Sequence, residues 1–596
     1  MTSLRRGLAG IEASGPARWV AAHPFLAGAA ALVALSAFAY APLLAGGGMI
    51  LTGDTLHPMR LYEMGRCLDD GQIPCRWAPD LGNGYGQPLF NYYGALPYYA
   101  GDPLHRVFHI SYVRTTDALY VVGLVGAGLS MYALTRRLWG DLGGLVSGVA
   151  YVFAPYLALD VYMRGALVEL WALAVMPALL WAVYELLTTG RRRFMPAIAV
   201  LTAFLLLSHQ LVAVIFAPAL LLWTVALVLR QGRPTWRPVL LGGVGALWGF
   251  ALAAFFTLPV LTEGDQAQLE NLVVAPYFHY ASHFVSAGDL FWHRSADYGF
   301  LLGRETGTPV QIGWFHWGLA GLSVPAAAVF ARRGRWFEGL AVVIFVVFFG
   351  VGVFMTVSRS EFVWDTFGAL RFLQFPWRYM ALVSFGAAGL AGAWLGALRD
   401  RPAWTQLAVA AALIGVFIGT GRMFFVPEAR CVPELRCPRG DAEYFGQYFA
   451  GYQAGGIEAY LPTTATAAPA EPPPQPAFVL TGVASIEDMR ASSDGLRLSV
   501  RALTPVVLEA SVFDYPNWRV RVDGEVVPHR PSVPFGLIAF EVPEGAHEVE
   551  LRLENTGIRR LGNGISLAAW LALVAGVPAA LFAPAARRWW TTRKAA

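Results

Sequence analysis

The sequence predicts a polytopic α-helical membrane protein of about 12 transmembrane helices with a C-terminal β-sandwich outside the cytoplasm. Three observations predict it. Of the 596 residues, 56% are hydrophobic and only 14% are charged, whereas a soluble domain keeps its surface wet with roughly 25% charged residues. Apolar windows of about 18 to 22 residues recur, each long enough to cross a bilayer, and arginine clusters alternate with longer mixed loops between them. Towards the C-terminus the hydrophobic pattern switches to a period of two. The net charge of +4 is small, and many of the arginines lie in short clusters between apolar runs. That distribution reads as topology and excludes nucleic acid as a partner.

The first element is the apolar run from Pro24 to Leu44, preceded by Arg5, Arg6 and Arg18. It lacks a small-residue cleavage site and reads as a retained helix. Arg136 with Arg137, Arg191 to Arg193, Arg230 to Arg237, Arg332 to Arg335, Arg399 with Arg401 and Arg587 to Lys594 mark one side. Taken as cytoplasmic, that side also holds both termini. The stretch from Met195 to Leu229 is too long for one helix and divides at Ser208 and His209. Residues 46–115, 160–168, 261–313 and 421–560 then lie outside, with a shorter segment at 358–378. The cysteines fall only there. Cys67 with Cys75 and Cys431 with Cys437 read as two short-range disulfides made in an oxidising compartment.

The transmembrane domain occupies residues 1–420, and residues 421–476 form an outer loop ending in the linker "TTATAAPAEPPPQP". Such a Pro- and Ala-rich stretch is expected to be extended rather than packed. The runs "LRLSVRAL", "VVLEASVF", "NWRVRVDGEVVPH" and "HEVELRLE" alternate apolar and polar residues. They predict a sandwich over 477–560, with a tight hairpin turn at Asp523 and Gly524. Residues 561–596 supply a final helix from about Ile565 to Phe582 and a cytoplasmic tail.

The candidate chemistry begins with "GGGMILTGDTLHPMR" after the first helix. Asp54 falls at the membrane surface, where a carboxylate meets lipid headgroups close to apolar walls, a placement suited to a general base. His57, three residues on, points the same way if a helix starts there. A second reading has Asp54 and Thr55 simply capping that helix. Downstream, Arg76, Trp77, Asp80, Asn83, Tyr85, Asn91, Tyr92 and Tyr93 interleave aromatic and polar groups. A sugar ring, with apolar faces and a polar rim, is bound by such a set. An interfacial aromatic belt accounts for the tyrosines equally, and for Asp80 and Asn91 less well.

In "LALDVYMRGALVEL", Arg164 is suited to hold a phosphate, with Glu169 orienting it or reaching an acceptor hydroxyl; a local ion pair is the alternative. His209 either lines the cavity or is a buried, hydrogen-bonded histidine. Glu263 lies just past a helix end in "LPVLTEG", and Arg378 opens the next helix in "LQFPWRYM". Arg378 either snorkels or joins Arg164 on an anionic headgroup. No phosphate-cradling Gly-rich loop, zinc quartet or nucleophile elbow is present, which argues against nucleotide use on the inner side.

The motifs "GDTLHPMR", "RWAPDLGNGYGQPLFNYYGALPYY", "YMRGALVEL", "LPVLTEG", "LQFPWRYM" and "FDYPNWRVRVDG", in this order, resemble the bacterial 6-pyruvoyl-tetrahydropterin-synthase-related membrane proteins. These are similar to YfhO-type proteins and to the wider C-type glycosyltransferase (GT-C) superfamily; no pterin chemistry is carried over. The resemblance implies a GT-C-like membrane domain in the bacterial inner membrane whose first outer loop carries an acidic catalytic base or metal ligand, here Asp54. It implies a sugar donor that is a polyprenyl phosphate or diphosphate, with a glycan, lipid or protein as acceptor. Asp54 stands alone until Glu63, whereas many superfamily members pair two acidic residues. That departure argues against a divalent metal such as Mg or Mn, leaves no cofactor firmly implied, and favours a monophosphate donor neutralised by Arg164 or Arg378. The expected reaction is inverting transfer, with Trp77, Asp80, Asn83, Tyr85, Asn91, Tyr92, His57, Glu169, His209 and Glu263 around sugar or acceptor. The rivals are a lipid-linked glycan transporter or a non-catalytic partner of envelope polysaccharide assembly, and a chain in which only the sandwich binds glycan.

Overall fold

The structure is a computed structural model and describes residues 18–594 other than 20–21, 46–47, 232–235, 272–277, 294–309, 428–437, 439 and 451–459, with backbone alone for 577–594. Among the described residues, eight helical segments are long and apolar enough to cross a membrane, and Trp236–Leu252 with Ala254–Thr262, bent by 76°, counts as a ninth when the bent pair is taken as one span. One of the eight is a hairpin. Its helix Tyr112–Val152 has 41 residues, about 60 Å at 1.5 Å per residue, or twice a hydrocarbon core. The chain turns at Gly140, where φ is 82° and ψ 177°. Past the turn the arms pack back on each other, so closely that a Cβ on Gly148 would stand 3.0 Å from the Gly128 carbonyl oxygen. This raises the count to ten. The expected twelve would also need the short helix Phe194–Ser208 and the C-terminal helix Gly557–Lys594.

The arginine clusters do gather at one end. Arg399 Nη2 donates to the Leu138 carbonyl at 3.2 Å and Arg335 Nη1 to that of Gly396 at 2.7 Å. Arg137 ion-pairs with Glu185, and Arg230 lies 4.2 Å from the Phe337 ring centroid. The first outer loop is at the opposite end of the hairpin. The long apolar stretch divides where expected, between Phe194–Ser208 and Gln210–Arg230, with His209 extended between them. The break seats the first loop: a Cβ on Gly94 would meet the Ser208 carbonyl at 1.8 Å.

The C-terminal domain has nine strands: β1 Ala477–Thr481, β2 Ala484–Ser492, β3 Gly495–Ala502, β4 Val506–Phe513, β5 Trp518–Val522, β6 Glu525–Val527, β7 His529–Pro531, β8 Leu537–Val542 and β9 Gly545–Leu553. They form two antiparallel sheets, β1-β4-β8-β7 and β2-β3-β9-β5-β6. Alternate residues turn inward, so Leu496, Leu498, Leu508, Ile538, Phe540 and Leu551 are buried between the sheets, as the two-residue period requires. Asp523 and Gly524, at φ 53° and 87°, make the β5–β6 turn, both in the left-handed region a two-residue hairpin needs.

Two expectations are corrected. The final helix starts at Gly557 rather than near Ile565, because polar residues that appear to belong to a loop dock instead on the bent pair. The Pro-rich linker, although mostly exposed, is tethered: Ala465 and Pro469 are buried, and Asn83 Nδ2 donates to the Pro469 carbonyl at 2.7 Å. The sandwich is thereby fixed to the first loop. Trp77 meets Tyr515 and Trp518 edge-on at 5.5 and 5.4 Å. Arg76 donates to Asn91, Asn555, Asn563 and the Phe255 carbonyl, and burial together with Arg559 lowers its pKa to about 10.

Candidate active site

The site is built on the turn from the first helix into His57–Asp69. Pro58 opens that helix and Leu56 caps it without a side-chain bond. Asp54 is therefore not its N-cap residue. Asp54 Oδ1 instead accepts the Leu56 N–H at 3.1 Å, and Oδ2 accepts from Arg60 Nη1 at 2.6 Å and from the Tyr93 hydroxyl at 3.5 Å. Arg60 also stacks on Tyr93, 4.4 Å from the ring centroid. Asp54 keeps 26% of its side chain exposed while Arg60 keeps 9%. Burial pushes the Asp54 carboxyl up, but the Arg60 guanidinium and His57 outweigh it and hold the carboxyl below its ordinary value. It is thus ionised at neutral pH. Burial, the dominant effect, holds His57 below its usual value, so the ring is neutral. His57 Nδ1 lies 2.8 Å from the Tyr98 hydroxyl, and Nε2 bonds the Gly165 carbonyl.

Through that carbonyl the first loop touches the second. Gly53 N–H donates to the Met163 carbonyl at 2.5 Å, and Gly165, at φ 66°, sits so near that a Cβ would be 2.7 Å from the Asp54 carbonyl oxygen. The second loop is a π-helical turn, Asp160–Arg164. Arg164 pairs with Asp160, donates to Glu169 Oε2 at 2.9 Å and lies 4.4 Å from the Trp377 ring centroid. Arg378 Nε approaches the same oxygen at 3.9 Å while its Nη1 donates to the Leu373 carbonyl at 2.8 Å. Tyr156 closes the cluster on Glu169 Oε1. The sequence places Arg164, Arg378 and Glu169 together and the structure does so, but it leaves the two cations converging on Glu169.

A small, shallow cleft lies beside Asp54 and is lined by Asp54, Thr55, His57, Thr116, Asp117 and Tyr120, with Leu43, Met49, Ile50 and Val161 as apolar neighbours. Much of the expected sugar platform is elsewhere. Trp77 is buried against the sandwich, Tyr85 packs on Phe513, and Asn83 and Asn91 hold the linker and Arg76. Tyr92 donates to the Glu263 carbonyl at 2.6 Å, and the Glu263 carboxylate pairs with Arg559 at 2.7 Å. These six dock the C-terminal domain. Their aromatic and amide groups suit an interface between domains for the same reasons they suit a sugar.

Asp80 pairs with Arg66 and stands beside buried Glu63, whose carboxyl is pushed well above its usual range by burial and then by Asp80. His209 accepts the Val212 N–H at 3.3 Å and caps a helix; it does not line the cleft. The disulfide Cys67–Cys75 is present, with its Cα atoms 5.5 Å apart, and Cys431 and Cys437 lie outside the described residues. Sequence reasoning passed over Arg60, Tyr98, Asp117 and Tyr120. An acidic residue in the first turns of an apolar helix was the available signal for Asp117.

A divalent metal does not fit the described residues. Asp54 is already neutralised by Arg60, and among the described residues no three His, Cys, Asp or Glu side chains gather around one point. No step below is routed through one. The Arg60 contact carries its own test. Replacing Arg60 by Met removes the guanidinium and leaves the burial, so the Asp54 pKa rises. If ionised Asp54 drives activity, the acid limb of the pH–rate profile then moves to higher pH by about one to three pH units; an unmoved limb would show that another group sets it.

Several known proteins resemble the chain. The profile of a family described as "6-pyruvoyl-tetrahydropterin synthase related domain; membrane protein" matches residues 90–424, more than half of the sequence. An uncharacterized protein of Lactococcus lactis subsp. cremoris (strain MG1363) is 23% identical over 203 residues, 33% of each chain. Among solved structures, the arabinofuranosyltransferase AftD from Mycobacteria aligns with 70% of this chain and 28% of its own at TM-score 0.42 and 16% identity. ArnT from Cupriavidus metallidurans, bound to undecaprenyl phosphate, aligns over 66% of this chain and 63% of its own at TM-score 0.38 and 15% identity. The archaeal oligosaccharyltransferase AglB from Archaeoglobus fulgidus, in complex with an inhibitory peptide and a dolichol-phosphate, aligns over 75% and 62% at TM-score 0.40 and 13% identity. The chain thus spans a third of the relative's length and less than two thirds of each of these structures.

Proposed function

We propose that this chain, which belongs to the 6-pyruvoyl-tetrahydropterin synthase related family of membrane proteins, transfers a sugar from a polyprenyl-phosphate donor to a glycan, lipid or protein acceptor on the extracytoplasmic face of the bacterial inner membrane. The observation that carries the reading is Asp54: an ionised, partly exposed carboxylate on the wall of a cleft, at the end of the membrane domain opposite the arginine clusters. By the positive-inside rule those clusters are cytoplasmic, which puts the cleft outside.

In the reaction the acceptor hydroxyl attacks the anomeric carbon and gives its proton to Asp54. The bond from that carbon to the donor phosphate breaks, its electron pair leaves on the phosphate, and the anomeric configuration inverts. A carboxylate of low pKa suffices, because attack on an oxocarbenium-like carbon acidifies the hydroxyl before its proton moves. Arg164 and Arg378 hold the phosphate, which replaces one carboxylate oxygen of Glu169 on the two guanidinium groups. The sandwich, fixed on the first loop, orients the acceptor.

The low basicity that Arg60 imposes on Asp54 favours a second reading, in which the same groups bind a lipid-linked glycan without reacting, as in a transporter or an assembly partner. Mass spectrometry of polyprenyl-linked sugars and surface polysaccharide in a deletion strain separates the two. Accumulated monosaccharide donor lipid is the result expected for transfer; accumulated glycan lipid would indicate transport.

A further inference from the structure

Tyr120 lies four residues after Thr116 and three after Asp117 on the first arm of the hairpin, so its side chain neighbours both on the helix surface. All three line the cleft with Asp54 and His57. Asp117 is 5% exposed, and its Oδ2 accepts from Arg114 Nη1 at 3.1 Å. Tyr120 is likewise 5% exposed, its ring meets the His57 ring edge-on at 5.9 Å, and among the described residues its buried hydroxyl has no hydrogen-bond partner. A buried hydroxyl left unpaired destabilises the fold, and phenylalanine would fill the same space without that cost. A buried hydroxyl kept under such a penalty, in a residue that lines the same cleft as Asp54, is explained by a ligand that completes it.

We propose that Tyr120 and Asp117 are the specificity-determining wall of this cleft and that the group it takes is a vicinal diol of a sugar. Tyr120 donates its O–H to the oxygen of one hydroxyl, and Asp117 Oδ1 accepts from the neighbouring hydroxyl. The inference rests on the transferase reading for one point, that the first hydroxyl is the acceptor's attacking group. Its oxygen bonds to the anomeric carbon, its proton passes to Asp54, and the bond from that carbon to the lipid phosphate breaks with the electron pair left on phosphate.

The test uses the full chain in detergent and a panel of methyl pyranosides and methyl furanosides with their monodeoxy analogues, read by ligand-induced shift of the melting temperature. At least one glycoside is expected to stabilise the wild type. Tyr120→Phe is expected to melt higher than wild type without ligand and to bind that glycoside on the order of tenfold more weakly. Asp117→Asn is expected to weaken the full glycoside and to leave unchanged the analogue lacking the neighbouring hydroxyl. A wild type that binds no glycoside, a Tyr120→Phe protein that melts lower, or unchanged binding in both variants would each overturn the proposal. Binding in the expected pattern, with no change in envelope glycans on deletion, would sink the transferase reading and leave the diol site standing.

Discussion

Asp54→Asn is expected to lower the rate of sugar transfer by about 10²–10⁴-fold, the usual contribution of a general base, with little change in the affinity for donor. Asparagine keeps the shape of the side chain and its bond from the Leu56 N–H, so the turn into the His57–Asp69 helix is retained. What it loses is the charge that faces Arg60 at 2.6 Å. Arg60 still stacks on Tyr93 and still reaches the Tyr93 hydroxyl at 3.2 Å, but at 9% exposure it loses its counter-charge, so a lower melting temperature is expected as well. A rate loss of this size measured well below that melting temperature, on protein that is still folded, would identify a chemical role. A rate within twofold of the wild type would remove Asp54 from the chemistry.

Glu263→Gln is expected to destabilise the folded chain by about 3–5 kcal/mol, because it leaves a buried arginine without its counter-charge. The Glu263 and Arg559 side chains are 5% and 3% exposed, and their ion pair joins the bent pair of helices to the start of the C-terminal helix. Thr556 adds a bond to the other carboxylate oxygen, and Gln266 one to Arg559 Nη2 at 3.2 Å. The sandwich should loosen from the first loop at the same time, which limited proteolysis of the 460–476 linker would detect. The double variant with Met at both positions should recover most of the loss, since apolar residues of similar volume replace a buried ion pair at little or no cost. If Glu263→Gln melts like the wild type, the pair is not what holds the helix in place.

The gathering of the arginine clusters at one end of the helical bundle was legible because it is written in local composition. Arg137, Arg335 and Arg399 fall between apolar runs in the sequence, and in the fold they meet Glu185, Gly396 and Leu138 at one end of the bundle. The hairpin turn was located by Arg136 and Arg137, although its backbone turns at Gly140, a residue with no charge to mark it. The strands were legible for the same reason: inward residues such as Leu496, Leu498 and Val500 alternate with Arg497 and Ser499.

The site was legible only in part, and the reason is distance along the chain. Asp54, Arg164, Glu169 and Arg378 could be singled out because a charge at the edge of an apolar segment is costly and so stands out. Which charge faces which could not be read. The partner of Asp54 is Arg60, whereas the two later arginines converge on Glu169. Trp77 and Tyr85 have the side chains of a sugar platform, and their partners are Trp518 and Phe513, more than 400 positions away. No local pattern distinguishes an aromatic ring awaiting a ligand from one covered by another domain. Tyr120 was missed for the opposite reason, since a tyrosine in an apolar helix is unremarkable until its hydroxyl is found without a partner.

The most direct measurement is the amount of polyprenyl-linked monosaccharide in membranes of a deletion strain complemented with either the wild-type chain or Asp54→Asn, at matched protein levels. The account predicts that wild type returns the donor lipid to its normal level while Asp54→Asn leaves it as high as in the deletion. Donor lipid restored equally by both would contradict it.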